Sequence, residues 1–251
     1  MAKKRGRRLG LSLARRCMID FLYFSKKISM NSVSAEKYMD LAPVIEARKQ
    51  CATRISWYTI FLKAFAEVSA QFPELRQVYL SYPYPHIYEY TRTVGMVAIE
   101  REIADETMVM YVKIDSPEKQ SLQHLDEMLR DSKKVAPEQS LSFRRFLKFN
   151  RLPFLIRRFA WWVGFNFPTF RLHYFGTFGV TGIGKGVRSL SIKSPLGVNF
   201  VFDMTQPDHR PLFRMFWDHR IFDGVIVIQI MEELQRILNG SIADELLEGK
   251  S

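Results

Sequence analysis

The sequence predicts an α/β protein, an α+β two-layer sandwich in which helices pack on a mixed β-sheet. Helical and extended patterns are interleaved along the 251 residues and joined by several hairpin-like links. An apolar content of 47%, with 14% aromatic residues, is that of a globular protein with a core. The length is enough to bury a large one.

The elements follow in order. Leu13 to Lys27 reads as a helix, and Ile28 to Tyr38 as a strand with partial alternation. Leu41 to Gln50 and Ser56 to Gln71 read as helices, the second ended by Pro73. Tyr82-Pro83-Tyr84-Pro85 is a turn, and Thr93 to Ile99 and Met108 to Ile114 are strands around an acidic turn at Asp105-Glu106. Pro117 to Lys134 is a polar-faced helix with Leu122, Leu125, Met128 and Leu129 inward. Leu196 to Met204 and Pro211 to Trp217 are strands. The last helix carries Val227, Ile230, Met231, Leu234, Ile237 and Leu238 on one stripe, with Glu232, Glu233, Gln235 and Arg236 opposite. Asn239-Gly240 stops it, glycine tolerating a left-handed C′ conformation.

The strand-to-helix connection ahead of that last helix carries Asp218-His219-Arg220-Ile221-Phe222-Asp223-Gly224. It sets one of the chain's five histidines four residues before a carboxylate. A neutral imidazole held in place takes a proton from a thiol or hydroxyl near pH 7. A short connection between rigid elements projects such a side chain into a cleft. The plainer alternative is a chance pairing, with Asp223 serving as the helix N-cap.

This segment resembles the His-x-x-x-Asp-Gly signature of the chloramphenicol acetyltransferase and dihydrolipoyl acyltransferase superfamily. In the dihydrolipoyl branch the signature commonly reads Asp-His-Arg-x-x-Asp-Gly, as it does here. Three further segments stand in the family's order. Thr59 to Phe65, continuing to Phe72-Pro73-Glu74-Leu75, is similar to the family's helix and the Pro-Glu-Leu that closes it. Arg76 follows, closer to the chloramphenicol branch than the usual Asn. Gly176-Thr177-Phe178-Gly179-Val180-Thr181-Gly182-Ile183-Gly184 resembles Gly-Thr-Phe-Thr-Ile-Ser-Asn-Leu-Gly, with Thr181 where serine is usual. Arg15-Arg16 ahead of Ser25 resembles the first helix. The likeness runs from about Leu13 to Asn239.

The resemblance implies an acyltransferase of chloramphenicol acetyltransferase-like fold, a homotrimer with its active site between subunits. His219 would be the general base that deprotonates the acyl acceptor. Thr181 would stabilise the tetrahedral oxyanion from a neighbouring subunit. Asp223 would organise the site by pairing with Arg15, or with Arg16 in the alternative register. Threonine has the same O–H donor as serine, with a methyl that stiffens its rotamer. From the residues alone, Thr181 is equally a β-branched strand residue. Acyl-CoA is the implied co-substrate, with a carrier-bound thioester as the other donor. The chain has no Asp-Lys-Ala lipoylation site and no Ala/Pro-rich swinging linker. A free-standing transferase, without a covalently bound cofactor, is therefore expected.

Composition bounds the partners. Two cysteines, Cys17 and Cys51, give neither a disulfide framework nor metal-ligand spacing, so no metal is expected. The formal charge of +11 favours polyanions such as acyl-CoA phosphates or anionic headgroups. No folded nucleic-acid motif stands out, and nucleic acid is not expected as a partner. Residues 1–12 form a basic arm, with Lys3, Lys4, Arg5, Arg7 and Arg8, ahead of a catalytic domain over 13–251. The arm reads as a solvated tail rather than a signal peptide, and no apolar run approaches the length of a spanning helix. A cytoplasmic location is expected.

An aromatic and basic insert at about 135–175 departs from the family. No acid occurs between Glu138 and Asp203. Phe143, Phe146 and Leu147 share one helical face, and Leu155, Phe159 and Trp162 another. The stretch 141–165 is a candidate in-plane membrane helix giving a peripheral membrane contact. It could equally pack on the domain or line an acceptor tunnel. A non-catalytic trimeric scaffold or membrane-associated assembly protein of the same fold is the alternative function.

Overall fold

Helix α3 (Trp57–Gln71) lies at the centre of the fold, because its sequence is apolar nearly all round and ten of its side chains are buried. It begins where Ser56 Oγ accepts the Thr59 amide at 3.2 Å, and Asp126 accepts from both Ser56 N and Thr59 Oγ1. The structure is a computed structural model. It describes residues 11–29, 32–103, 106–135, 139, 141–183, 196–205 and 210–249.

The sheet against α3 is mixed. Its strands are β1 (Ser32–Tyr38), β4 (Val94–Ile103), β5 (Glu106–Asp115), β6 (Phe178–Ile183), β7 (Val198–Asp203) and β8 (Leu212–Asp218), in the order β1-β8-β7-β6-β4-β5. Of the four inner strands, β4, β6 and β7 run parallel, and the β1/β8, β7/β8 and β4/β5 pairs are antiparallel. A two-stranded hairpin, β2 (Gln77–Leu80) with β3 (His86–Glu89), stands apart. Phe61 and Phe65 of α3 reach the sheet, where Phe61 meets Phe202 at 4.5 Å and Phe65 meets Phe178 at 4.9 Å between ring centroids. Helices α2 (Ala42–Gln50), α4 (Leu122–Lys134), α8 (Gly224–Asn239) and α9 (Ser241–Glu248) contribute to the same core. The predicted layers of helix on mixed sheet are therefore observed.

Three helices fill the segment before β6: α5 (Leu141–Arg151), α6 (Phe154–Asn166) and α7 (Pro168–Phe175). Helix α1 (Leu13–Ser29) packs on α6 through a buried ion pair, Arg157 Nε to Asp20 Oδ2 at 2.7 Å. Phe24 also stacks on Trp161 and Phe165. The β2–β3 hairpin touches α6 where Tyr82 meets Trp162 at 5.3 Å.

Several expectations are corrected. The predicted helix over 117–134 is split: Pro117–Lys119 is a short 3-10 turn, preceded by Ser116 at φ 47. Ser121 then caps α4 by accepting the His124 amide. Met128 is exposed rather than inward, because Leu122, Leu125 and Leu129 define a stripe that leaves it at the side. The strand expected from Ile28 begins at Ser32, since α1 continues to Ser29. Gly240 has φ −107, not a left-handed conformation, because α9 starts at the next residue. The acidic turn at 105 lies partly outside the described residues, as do the side chains of Phe143, Phe146 and Leu147 and all of the arm's residues 1–10.

Candidate active site

His219 rides on a turn that Asp218 locks. Strand β8 carries a run of apolar and aromatic side chains and is buried along its length, so its end is fixed on the neighbouring strands β1 and β7. Asp218, 2% exposed, accepts the backbone N–H of Arg220 at 3.1 Å, Arg220 Nε at 2.8 Å and Nη2 at 2.5 Å. The Asp218 carbonyl accepts the Ile221 amide at 3.0 Å and closes the turn. A forked guanidinium–carboxylate pair of this kind fixes geometry as well as charge. The Arg220 guanidinium lies 3.9 Å over the Tyr79 ring.

The imidazole is held at one nitrogen. His219 Nδ1 lies 3.3 Å from the Phe222 carbonyl and 3.1 Å from Asp223 Oδ1. A proton on Nδ1 satisfies both acceptors and leaves the Nε2 lone pair as the base. The same Phe222 carbonyl accepts Trp217 Nε1–H at 2.9 Å, and the Trp217 and Phe222 rings stack. The side chain of His219 is half exposed.

Asp223 takes the N-cap position of α8, but its carboxylate makes no capping bond. Its backbone carbonyl instead starts the helix at Ile226 and Val227. The carboxylate turns to His219 because an imidazole N–H within reach competes with the amides of the first turn. Arg15 is exposed, and its backbone N–H donates to Ser12 Oγ; the Arg16 guanidinium donates to the Leu11 carbonyl. The structure does not bring Arg15 or Arg16 to Asp223. Among the described residues, the acid of this connection that grips an arginine is Asp218.

Thr181 stands far from His219 on the same chain. It pairs with Val201 on β7, which pairs with Arg214 on β8. His219 lies five residues beyond Arg214, on the order of 16 Å along the strand direction. Around Thr181 the chain is shaped for close approach. A Cβ on Gly182 would sit 2.8 Å from Tyr58 Oη and from Phe202 Cζ. Tyr58 donates to the Gly182 carbonyl at 3.4 Å, and burial pushes its phenol up. The start of the segment is structural. Gly176 has φ +68, and Thr177 Oγ1 bridges to β4 by accepting Val94 N and donating to Val94 O.

Arg171 is the site-adjacent residue that sequence patterns give no hint of. It is buried beneath the turn and donates to the Phe165 and Tyr79 carbonyls at 3.3 and 3.4 Å. Burial pulls its guanidinium down to about 10, while Tyr90 and Asp218 act to raise it. Tyr90 is pushed up to about 12 by burial, opposed by Arg171. Among the described residues, no group of three or more His, Cys, Asp or Glu side chains could hold a metal ion. Nor is any helix long and apolar enough to cross a membrane. A shallow groove lined by Lys37, Glu232, Gln235 and Arg236 lies toward the C-terminal end of α8, away from His219.

No family model and no curated protein matches the sequence. Solved structures do match in shape. A probable dihydrolipoamide acetyltransferase from Listeria monocytogenes is 14% identical with a TM-score of 0.61, the match covering 96% of this chain and 95% of that one. The dihydrolipoamide acetyltransferase of Azotobacter vinelandii is 13% identical with a TM-score of 0.63, covering 96% and 94%. The catalytic core of the 2-oxoacid dehydrogenase complex from Thermoplasma acidophilum is 15% identical with a TM-score of 0.61, covering 94% and 99%. A chloramphenicol acetyltransferase matches at a TM-score of 0.50 with 11% identity, over 91% and 98%. The fold is that of these acyltransferases.

Proposed function

We propose that the protein is an acyltransferase that moves an acyl group from a thioester, on CoA or a carrier, to a hydroxyl or thiol. The observation that carries this is the tethering of His219 Nδ1 at the β8–α8 connection, which leaves Nε2 as the free base. Nε2 takes the proton of the acceptor O–H or S–H as the acceptor attacks the thioester carbonyl. The negative charge collects on the former carbonyl oxygen. Collapse expels the thiolate, which recovers the proton from the imidazolium. Acyl-CoA enters as a substrate and free CoA leaves as a product, rather than residing as a cofactor.

A finding from a similar fold favours the assignment. The catalytic mechanism of the Azotobacter enzyme involves a serine, a histidine and an asparagine, the latter two four positions apart. His219 and Asp223 have that spacing. Thr181, a hydroxyl on a β-strand ahead of the histidine, is the counterpart we assign to the serine, as oxyanion donor.

The site is assembled between copies. Thr181 is on the order of 16 Å along the sheet from His219 of its own chain, too far to share one tetrahedral centre. A neighbouring copy in a cyclic trimer supplies the second half. A similar fold builds the cubic core of a pyruvate dehydrogenase complex, 15% identical with a TM-score of 0.58. A cube has threefold axes at its corners. Val225 and Ile228, exposed on the first turns of α8 beside His219, are apolar side chains of the kind that a neighbouring copy covers.

The test is thiol release from a panel of acyl-CoAs with hydroxyl and thiol acceptors. His219→Ala is expected to abolish turnover while the oligomer survives in light scattering. Near-normal turnover in that variant refutes the mechanism. Silence of the wild-type chain with every donor and acceptor favours the non-catalytic scaffold instead.

A further inference from the structure

We propose that the face formed by α6 and the adjoining side of α1 docks on the surface of an anionic lipid bilayer. The inference does not depend on the acyl-transfer assignment.

Three observations converge. First, α6 turns bulky apolar groups to water. Leu155 is 77% exposed and Phe159 65%, with Trp162 in line behind them and Phe154 and Ile156 at the flanks. The opposite side of the helix holds the buried Arg157, Gly164 and Phe165, so the stripe is set by the packing of the helix and not by a loose end. Helix α1 adds Met18, Ile19 and Leu22, exposed on its own outer side. At the seam, the Arg158 guanidinium lies 3.6 Å over Tyr23 of α1 and 4.7 Å over Phe154 of α6.

Second, the helices that form and adjoin this face are basic and present no exposed acid among their described side chains. Arg144, Arg145, Lys148 and Arg151 of α5 are exposed, as are Arg15 and Lys26 of α1. The single carboxylate in α1, α5 and α6 is Asp20, which is buried and neutralised by Arg157. The basic residues Lys3, Lys4, Arg5, Arg7 and Arg8 precede α1 in sequence. Third, aromatic rings with polar edges border the apolar stripe: Trp162, and Tyr82 in contact with it. Such rings favour the boundary between headgroups and acyl chains.

The combination selects the occupant. An in-plane helix at a bilayer needs an apolar stripe, interfacial aromatics and flanking cations together. A polyanion such as nucleic acid would meet the cations but leave Leu155 and Phe159 in water. A second copy docked face to face would oppose two sets of basic helices, α1, α5 and α6, whose one carboxylate, Asp20, is buried. Anionic headgroups neutralise the cations while the acyl region takes the apolar side chains.

The experiment is vesicle flotation of the full chain. Vesicles are phosphatidylcholine alone or phosphatidylcholine with 30% phosphatidylglycerol, in about 0.1 and 0.5 M NaCl. The chain is expected to float with the anionic vesicles at low salt. The bound fraction should fall at least tenfold with neutral vesicles or high salt. Leu155→Glu/Phe159→Glu should lower it at least tenfold, with circular dichroism and oligomeric state unchanged. Quenching of wild-type fluorescence by brominated lipid, diminished in Trp162→Phe, is expected and does not require the charged variant to fold. Three outcomes overturn the proposal. They are no flotation of the wild-type chain, flotation of the folded double variant at wild-type level, and dissociation of the oligomer in that variant, which assigns the face to a second copy.

Discussion

Asp218→Ala removes the acceptor of three N–H groups of Arg220, at 3.1, 2.8 and 2.5 Å. The carboxylate is 2% exposed and the Arg220 side chain 28%. Deleting one partner of a fully buried pair costs about 3–5 kcal/mol, because the other charge is stranded. Arg220 keeps some access to water and its stack on Tyr79, so part of that penalty is recovered. Arg171, buried nearby, loses a favourable charge as well. The expected loss is therefore about 2–3 kcal/mol, or about 4–12 °C in Tm for a chain of this size. Urea and thermal unfolding at one fixed protein concentration measure it, since assembly shifts apparent stability by mass action. Arg220→Leu in the same background should recover part of the loss, because it removes the stranded cation. A change below about 0.5 kcal/mol in Asp218→Ala, or strict additivity in the double variant, would refute the locked-turn account.

Thr181→Ala should lower kcat about 100-fold, close to 3 kcal/mol of transition-state stabilisation, while Thr181→Ser keeps most of it. Steady-state thiol release checks both, and equal losses in the two variants would argue against a hydroxyl donor. Tyr90, buried with its phenol pushed up to about 12, should make stability alkali-sensitive. Its contribution is complete below the unfolded value near 10 and is lost as pH rises through about 12, a span worth at most about 3 kcal/mol. Unfolding between pH 9 and 12 should be less pH-dependent in Tyr90→Phe, and an unchanged slope would remove Tyr90 as the cause.

Much of the fold is legible in the sequence, wherever one local pattern decides. The stripe from Val227 to Leu238 defines α8, and the aromatic run from Leu212 to Trp217 lies in β8. Legibility ends where a choice depends on a partner distant in sequence. Nothing local shows that Asp20 meets Arg157, or that Arg171 lies under the turn of Asp218. The short β2–β3 hairpin escapes for a similar reason, since β2 is four residues long and half-buried. In the site, the motif locates His219, but the partition of its acids is a matter of geometry. Asp218, given no role of its own by the motif, grips Arg220; Asp223, read as a cap or as the partner of an arginine from the first helix, faces the imidazole.

The wide spacing of Thr181 and His219 along one sheet has a genetic consequence. If neighbours share each site, two inactive variants can cure one another. A chain lacking the hydroxyl still offers an intact imidazole, and a chain lacking the imidazole still offers an intact hydroxyl. Co-assembled in equal amounts at random, Thr181→Ala and His219→Ala chains would form about a quarter of their junctions with both groups present. In such an assembly, a single defective allele would also disable sites belonging to its normal neighbours.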